Sequence, residues 1–212
     1  MNVKILGISG SQRPGNTDML VKEALEAGKR LGNVQTDYIS LRDKVIFPCI
    51  GCTRCWTTYV QPPRCVTYDD DMNDILAKIY NFDPDGVIVG SPVHFQLVSG
   101  TLKNFIDRFS PMPVQGMIMR NKVMGFIANG TNAHCGQENV ISGLIQWALV
   151  LDAVIVGVGP ERSNDLLASM SGAMGTAFIG EWEETNAELT ATRLNEGEFN
   201  AADKLTKAAD II

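Results

Sequence analysis

Val3-Lys4-Ile5-Leu6-Gly7-Ile8-Ser9 runs directly into Gly10-Ser11-Gln12-Arg13-Pro14-Gly15-Asn16-Thr17 and then into a helical pattern. The first run is short, apolar and closed by a Gly/Ser loop, which predicts a buried strand. Met19, Leu20, Lys22, Glu23, Ala24, Leu25 and Ala27 then carry helical spacing as far as Arg30 or Leu31. The same order recurs along the chain. Val34 to Leu41 alternates as a second strand would. Asp69-Asp70-Asp71 opens a helix with Ile75, Leu76 and Ile79 on one face, its acidic start matched to the helix dipole. Gly86-Val87-Ile88-Val89-Gly90 and Val123 to Ala128 predict strands three and four, each followed by a helix, from about Ser99 to Arg108 and from Gln137 to Leu151. Ala153 to Val158 predicts a fifth strand, and Ala201 to Ile212 a closing helix.

Strands that are near-continuous Val/Ile/Leu runs are buried on both faces, which calls for a parallel sheet covered by helices on each side. Five such units predict an α/β, doubly wound sheet of order 2-1-3-4-5. Its ligand crevice lies beyond the carboxyl ends of the strands, where the order reverses. The loops after strands 1, 3 and 4 then surround one site. A chain of 212 residues fits a single domain over 1–212, with a cysteine-rich loop at about 45–66 and a less regular extension from about 160.

Composition excludes several function classes. The net charge of −6 gives no basic field for nucleic acid or an anionic membrane. No stretch approaches the roughly 20 apolar residues of a membrane helix, and the first residues are too short for a signal-peptide core. The expectation is a soluble, cytoplasmic protein with neither nucleic-acid nor membrane partners.

The loop Gly10 to Thr17 has nucleotide P-loop spacing, but Asn16 stands where the phosphate-binding lysine belongs. Nucleoside triphosphate hydrolysis is therefore disfavoured. What remains is Ser9, Ser11, Asn16 and Thr17 with one cation, Arg13, at a helix start that favours an anion. A monophosphate cradle is one reading; a capped helix after a tight turn, with Asn16 as the cap, is the other. Ser91-Pro92-Val93-His94-Phe95 sets flat side chains beside a rigid proline, suited to lining a planar ring. His94 and Phe95 taken singly also suit core packing. Asn129 to Gly136 is polar and brings backbone donors toward a ring edge. A single phosphate at one end and a flat heterocycle at the other describe FMN.

Ser9 to Arg13 with Asn16-Thr17, Gly90-Ser91-Pro92-Val93, and Gly100-Thr101-Leu102-Lys103-Asn104-Phe105-Ile106-Asp107-Arg108 together resemble the flavodoxin-like, NAD(P)H-dependent FMN reductases. Cys49-Ile50-Gly51-Cys52-Thr53-Arg54-Cys55, with Cys65 and Asp70-Asp71-Met72, is similar to the iron–sulfur flavoprotein branch. The resemblance spans about residues 3 to 158. It implies FMN phosphate contacts at Ser9, Ser11, Arg13, Asn16 and Thr17. It implies ring contacts at Pro92, Val93, His94, Phe95, Asn129, Gly130 and Gly136. Gly15 replaces a usual serine, and His94 stands where the family commonly has an aromatic such as tyrosine. A homodimer or homotetramer is the expected assembly.

Cys49, Cys52, Cys55 and Cys65 have three open fates: ligands of a [4Fe–4S] cluster, ligands of a structural zinc, or free thiols in a loop that has lost its cluster. An odd total of five cysteines without a secretory signal argues against a disulfide framework. Cys135, on the loop after strand 4, is a poor candidate for a fifth ligand, and burial near the flavin is the expectation. The resemblance implies an FMN-dependent oxidoreductase moving electrons between NAD(P)H or a reduced carrier and a small-molecule or redox-protein acceptor. In such an enzyme the chemistry belongs to the cofactor, so no catalytic side chain is named. Two further readings remain: an electron carrier without its own substrate, and an FMN reductase that has lost the cluster.

Overall fold

The computed structural model describes residues 3–131 and 135–156. The predicted extension from about 160, the closing helix over 201–212 and the end of the fifth predicted strand lie outside the described residues.

Five strands form one parallel sheet in the order 2-1-3-4-5: β1 (Val3–Ser9), β2 (Val34–Ser40), β3 (Gly86–Pro92), β4 (Val123–Asn129) and β5 (Val154–Ile155). The doubly wound prediction holds. The alternation within the strands shows why both faces need cover. Ile5, Ile88, Val123 and Ile127 pack on one face against Leu20, Val21, Ala24 and Leu25 of helix α1 (Asn16–Arg30). Their immediate neighbours Leu6, Val87, Val89, Met124 and Phe126, with Ile8 two residues past Leu6, join the larger cluster on the other face. That second face is covered by α3 (Asp71–Phe82), α4 (Gly100–Arg108) and α6 (Gln137–Val150). Burying one such branched or aromatic side chain contributes about 1.5–3 kcal/mol, so the two clusters dominate the stability of the sheet. Phe105, Phe109 and Trp147 meet at tilted and edge-on angles, with centroids 5.3–6.0 Å apart, and lock α4 against α6.

Two short helices lie outside the sequence expectation, α2 (Arg54–Thr57) inside the cysteine loop and α5 (Pro111–Val114) after α4. Neither is long enough to show helical periodicity. β3 and β4 each run beyond their expected ends, to Pro92 and Asn129, because these residues pair with each other across the sheet. The added register carries the strand ends to the rim where the expected site lies. Among the described residues, no helix is long and apolar enough to cross a membrane.

Candidate functional site

The loops after β1, β3 and β4 are tied together at the carboxyl ends of their strands. The Gly10 amide donates to the Gly90 carbonyl (2.8 Å), and the Val93 amide donates to Asn129 (2.7 Å). Ser99, which caps α4, donates its hydroxyl to the Gly10 carbonyl (2.6 Å), and Gln12 reaches Thr101 (2.6 Å). A β-carbon at Gly10 would lie 2.9 Å from two Leu102 atoms, so only glycine lets the phosphate loop approach α4 this closely. Gly136 has φ +106°, and a β-carbon there would lie 2.6 Å from the Gln96 backbone. The loop after β4 therefore rests directly on the loop after β3.

Helix α1 begins at this junction. Its cap is Gly15, which offers no side-chain oxygen, and Asn16 is the first helical residue. The expectation of Asn16 as the cap is thereby corrected. With no side-chain cap bond from Gly15, the 15-residue helix presents N–H groups and the positive end of its dipole to the loop. Thr17 is buried beside them, as is Ser11, whose hydroxyl donates to the Arg13 carbonyl (2.7 Å), while Arg13 is exposed. This donor set fits a phosphate monoester.

Ser9 is fully buried, and its hydroxyl donates to Asp18, a carboxylate in the first turn of α1. Asp18 also accepts from the Tyr38 hydroxyl (2.8 Å) and, at 3.5 Å, from Arg42. Burial, with the Asp18 carboxylate next in effect, pushes the Tyr38 phenol up to about 12. This polar network under the loop is absent from the sequence expectation. Its one legible sign was an acidic residue at a helix start, which reads equally well as a dipole partner.

The strand 3 loop departs from the core-packing reading of its sequence. His94 and Leu97 exchange backbone hydrogen bonds around a tight turn in which Phe95 and Gln96 have φ of +47° and +72°. Phe95 is fully exposed and His94 is exposed, so neither serves core packing. Pro92 and Val93 are half-buried at the junction, Asn129 ends β4 at the same height, and Gly130 is buried beside Gln137. Residues 132–134 lie outside the described residues.

The cysteine loop is irregular, so its backbone needs partners from elsewhere. Asp71 accepts from the Val45 amide, Asp70 from Phe47, and Asn73 from Cys65 (2.7, 2.9 and 2.9 Å). Asn104 donates to Ile46, and the buried Gln115 side chain donates to Cys55 and Thr58 and accepts from Val60. Asp70, in the acidic helix start, caps α3 by accepting from Met72, and it also forms a bidentate ion pair with Arg108 (2.8 and 2.9 Å). Both side chains are buried, at 2% and 1% exposure. Arg108 stood in the sequence only as the end of a motif.

Cys49 and Cys52 are exposed, and Cys55, Cys65 and Cys135 are half-buried. The Thr67 hydroxyl, 3.1 Å away, holds the Cys52 thiol below its usual range, whereas burial pushes Cys55 up. Cys55 also feels the charges of Cys65 and Cys49, which places three of the four sulfurs in one electrostatic neighbourhood. Among the described residues, no three Cys, His, Asp or Glu side chains converge as ligands of a single metal ion. The donor set itself fits an iron–sulfur cluster: four soft sulfurs carried on one loop.

Known proteins agree with this geometry. A family model described as NADPH-dependent FMN reductase matches residues 3–160. An iron-sulfur flavoprotein of Methanocaldococcus jannaschii is 42% identical over 156 residues, covering 73% of this chain and 76% of its own. An iron-sulfur flavoprotein of Methanosarcina thermophila is 32% identical, covering 73% and 78%. Among solved structures, RosB with bound 8-demethyl-8-formylriboflavin-5′-phosphate superposes with a TM-score of 0.67 at 14% identity, covering 99% of this chain and 79% of its own. A WrbA-like flavodoxin from Agrobacterium tumefaciens gives 0.54 at 15% identity, covering 96% and 99%; these two likenesses bear on the fold alone. The sheet order, the three joined loops and the match over three-quarters of its length make this chain a member of the NADPH-dependent FMN reductase family, and an FMN-dependent oxidoreductase.

Proposed function

We propose that the chain is an FMN-dependent oxidoreductase of the iron–sulfur flavoprotein type, passing electrons from NAD(P)H or a reduced carrier to a one-electron acceptor. The observation that carries it is the joining of three strand-end loops over the uncapped start of α1, with a four-thiol loop following β2 on the same rim. When bound, FMN supplies two-electron and one-electron chemistry, and a [4Fe–4S] cluster supplies a one-electron centre.

The chain's own residues hold and orient. The α1 N–H groups, with Asn16, Thr17 and Arg13, hold the phosphate, and Ser11, whose hydroxyl donates to the Arg13 carbonyl, shapes the loop around it. Ser9 acts beneath the loop by fixing Asp18 rather than by donating to the phosphate. Pro92, Val93, Asn129, Gly130 and Gly136 line the ring, with His94 and Phe95 extending from its edge. Cys49, Cys52, Cys55 and Cys65 hold the cluster. Overall, one NAD(P)H and two oxidised one-electron acceptors give NAD(P)+, one proton and two reduced acceptors. Residues 1–212 act as one domain, as a cytoplasmic homodimer or homotetramer with redox-protein or small-molecule partners.

Anaerobic purification with an absorbance spectrum, iron and acid-labile sulfide analysis, and stopped-flow mixing with NADH and NADPH test this. Flavin absorbance, about four irons and four sulfides per chain, and rapid bleaching by one nicotinamide are expected. Flavin without iron removes the cluster; protein that neither carries nor binds FMN overturns the proposal.

A further inference from the structure

Ser99 is fully buried, and each of its polar groups is in use. Its hydroxyl accepts from the Leu102 amide (3.3 Å) and its carbonyl accepts from the Lys103 amide (2.8 Å), bonds that belong to the start of α4. A helix cap needs no more than these. The other two bonds leave the helix. The Ser99 amide donates to the Ser91 hydroxyl (3.2 Å), and the Ser99 hydroxyl gives its one proton to the Gly10 carbonyl (2.6 Å), 89 residues away along the chain. Ser91 is also fully buried and donates its own proton to the Pro92 carbonyl (2.8 Å), where the ring-side loop begins. One side chain therefore joins the phosphate loop to the end of β3.

The Gly10–Ser11 peptide is trans, so its carbonyl and its N–H point in opposite directions. Ser99 takes the carbonyl, and the Ser9 hydroxyl takes the Ser11 N–H (3.3 Å). This peptide plane is thus held at both edges. Released from Ser99, the Gly10 carbonyl is free to turn its negative end toward an anion at the start of α1, where binding depends on N–H groups facing the ligand.

We propose that Ser99 is a positioning residue for FMN. It keeps the Gly10 carbonyl out of the phosphate cradle and fixes that cradle relative to the Pro92 and Val93 side of the ring. Being buried, it acts through Gly10 and Ser91 rather than by touching the cofactor. This rests on the reading that places the FMN phosphate at the start of α1 and the ring against Pro92 and Val93. Two subsites filled by one ligand reinforce each other only when their spacing matches it. Loss of the Ser99 hydroxyl therefore falls on the contribution of the phosphate.

The test compares the Kd of FMN with that of riboflavin, which lacks the phosphate, by quenching of flavin fluorescence with the flavin-free protein. Ser99→Ala removes the hydroxyl. Ser99→Gly removes it too, at a helix start that accepts glycine almost as well as serine, and it stands in where the alanine variant fails to fold. Expected is a fall of about tenfold in the preference for FMN over riboflavin, with riboflavin affinity within about threefold of wild type. A folded variant whose preference stays within about twofold of wild type overturns the role, because loss of a helix cap alone weakens both flavins alike or neither. Equal binding of FMN and riboflavin by the wild type overturns the phosphate reading itself, and that result is visible before any variant is made.

Discussion

Ser9 and Asp18 are joined by a buried hydrogen bond in which the serine hydroxyl is the donor. The first serine of the phosphate loop thus directs its single proton into the protein, not toward a ligand. Ser9→Ala is expected to destabilise the fold by about 1–3 kcal/mol, the range for a buried bond to a charged group, with little change in FMN affinity. Thr17→Val, which keeps the shape and removes the hydroxyl, is expected to weaken FMN binding about tenfold. Urea unfolding and quenching of FMN fluorescence by the apoprotein measure the two effects. A larger affinity loss in the serine variant refutes this division of roles.

Tyr38 answers to the same carboxylate. Its phenol is raised from 10.0 to about 12, first by burial and then by Asp18. A group whose folded value is raised adds stability below its unfolded value, and that stability is lost as pH climbs through the folded one. One of the chain's four tyrosines should therefore ionise near 12 in an ultraviolet titration. Stability should decline between about 10 and about 12, and the decline should be absent in Tyr38→Phe.

At the other end of the pH range, Asp70 governs. Burial pushes its carboxyl up, but the Arg108 guanidinium and the Phe47 and Met72 amides outweigh burial, so the folded value lies below 3.8. A depressed carboxylate stabilises above its unfolded value, and the contribution disappears as pH falls through the folded one. Asp70→Ala leaves a buried arginine without its counter-charge and should cost about 3–5 kcal/mol at neutral pH. Asp70→Asn with Arg108→Met should cost less than either change alone. Denaturant unfolding of the three variants at pH 7 checks the order, and additive losses contradict it.

Gly136→Ala tests the contact between the second and third loops. A methyl group there meets the Gln96 backbone while the residue must hold φ near +106°. Because backbone, unlike a flexible side chain, cannot step aside cheaply, FMN affinity should fall by at least about tenfold, with a stability loss of about 1–3 kcal/mol. Isothermal titration with FMN and a thermal melt read the two separately. Undiminished affinity means that this loop does not reach the ring.

The sheet was legible because its strands are unbroken apolar runs, and such runs admit few arrangements. Ile5 beside Leu6 and Val87 beside Ile88 already state that both faces are covered. The gathering of three loops followed from the strand order alone. Side-chain partners were not legible, since nothing in the neighbourhood of Asp18, Arg108 or Gln115 along the chain names a partner 20 to 60 residues away. Asp70 shows the limit well: its place in an acidic helix start was readable from local sequence, its ion pair with Arg108 was not. The tight turn that exposes His94 and Phe95 was not legible, because two left-handed non-glycine residues, Phe95 and Gln96, run against the usual preferences.

The anchors of the cysteine loop sit outside it, on α3, α4 and the segment after α5. Moving residues 45–66 alone into a relative without the cysteines would therefore deliver thiols with no foundation. A transplant that also carried Asp70, Asp71, Asn73, Asn104, Arg108, Ser110 and Gln115 would bring the scaffolding along, and these seven positions belong to the unit that an engineer must move.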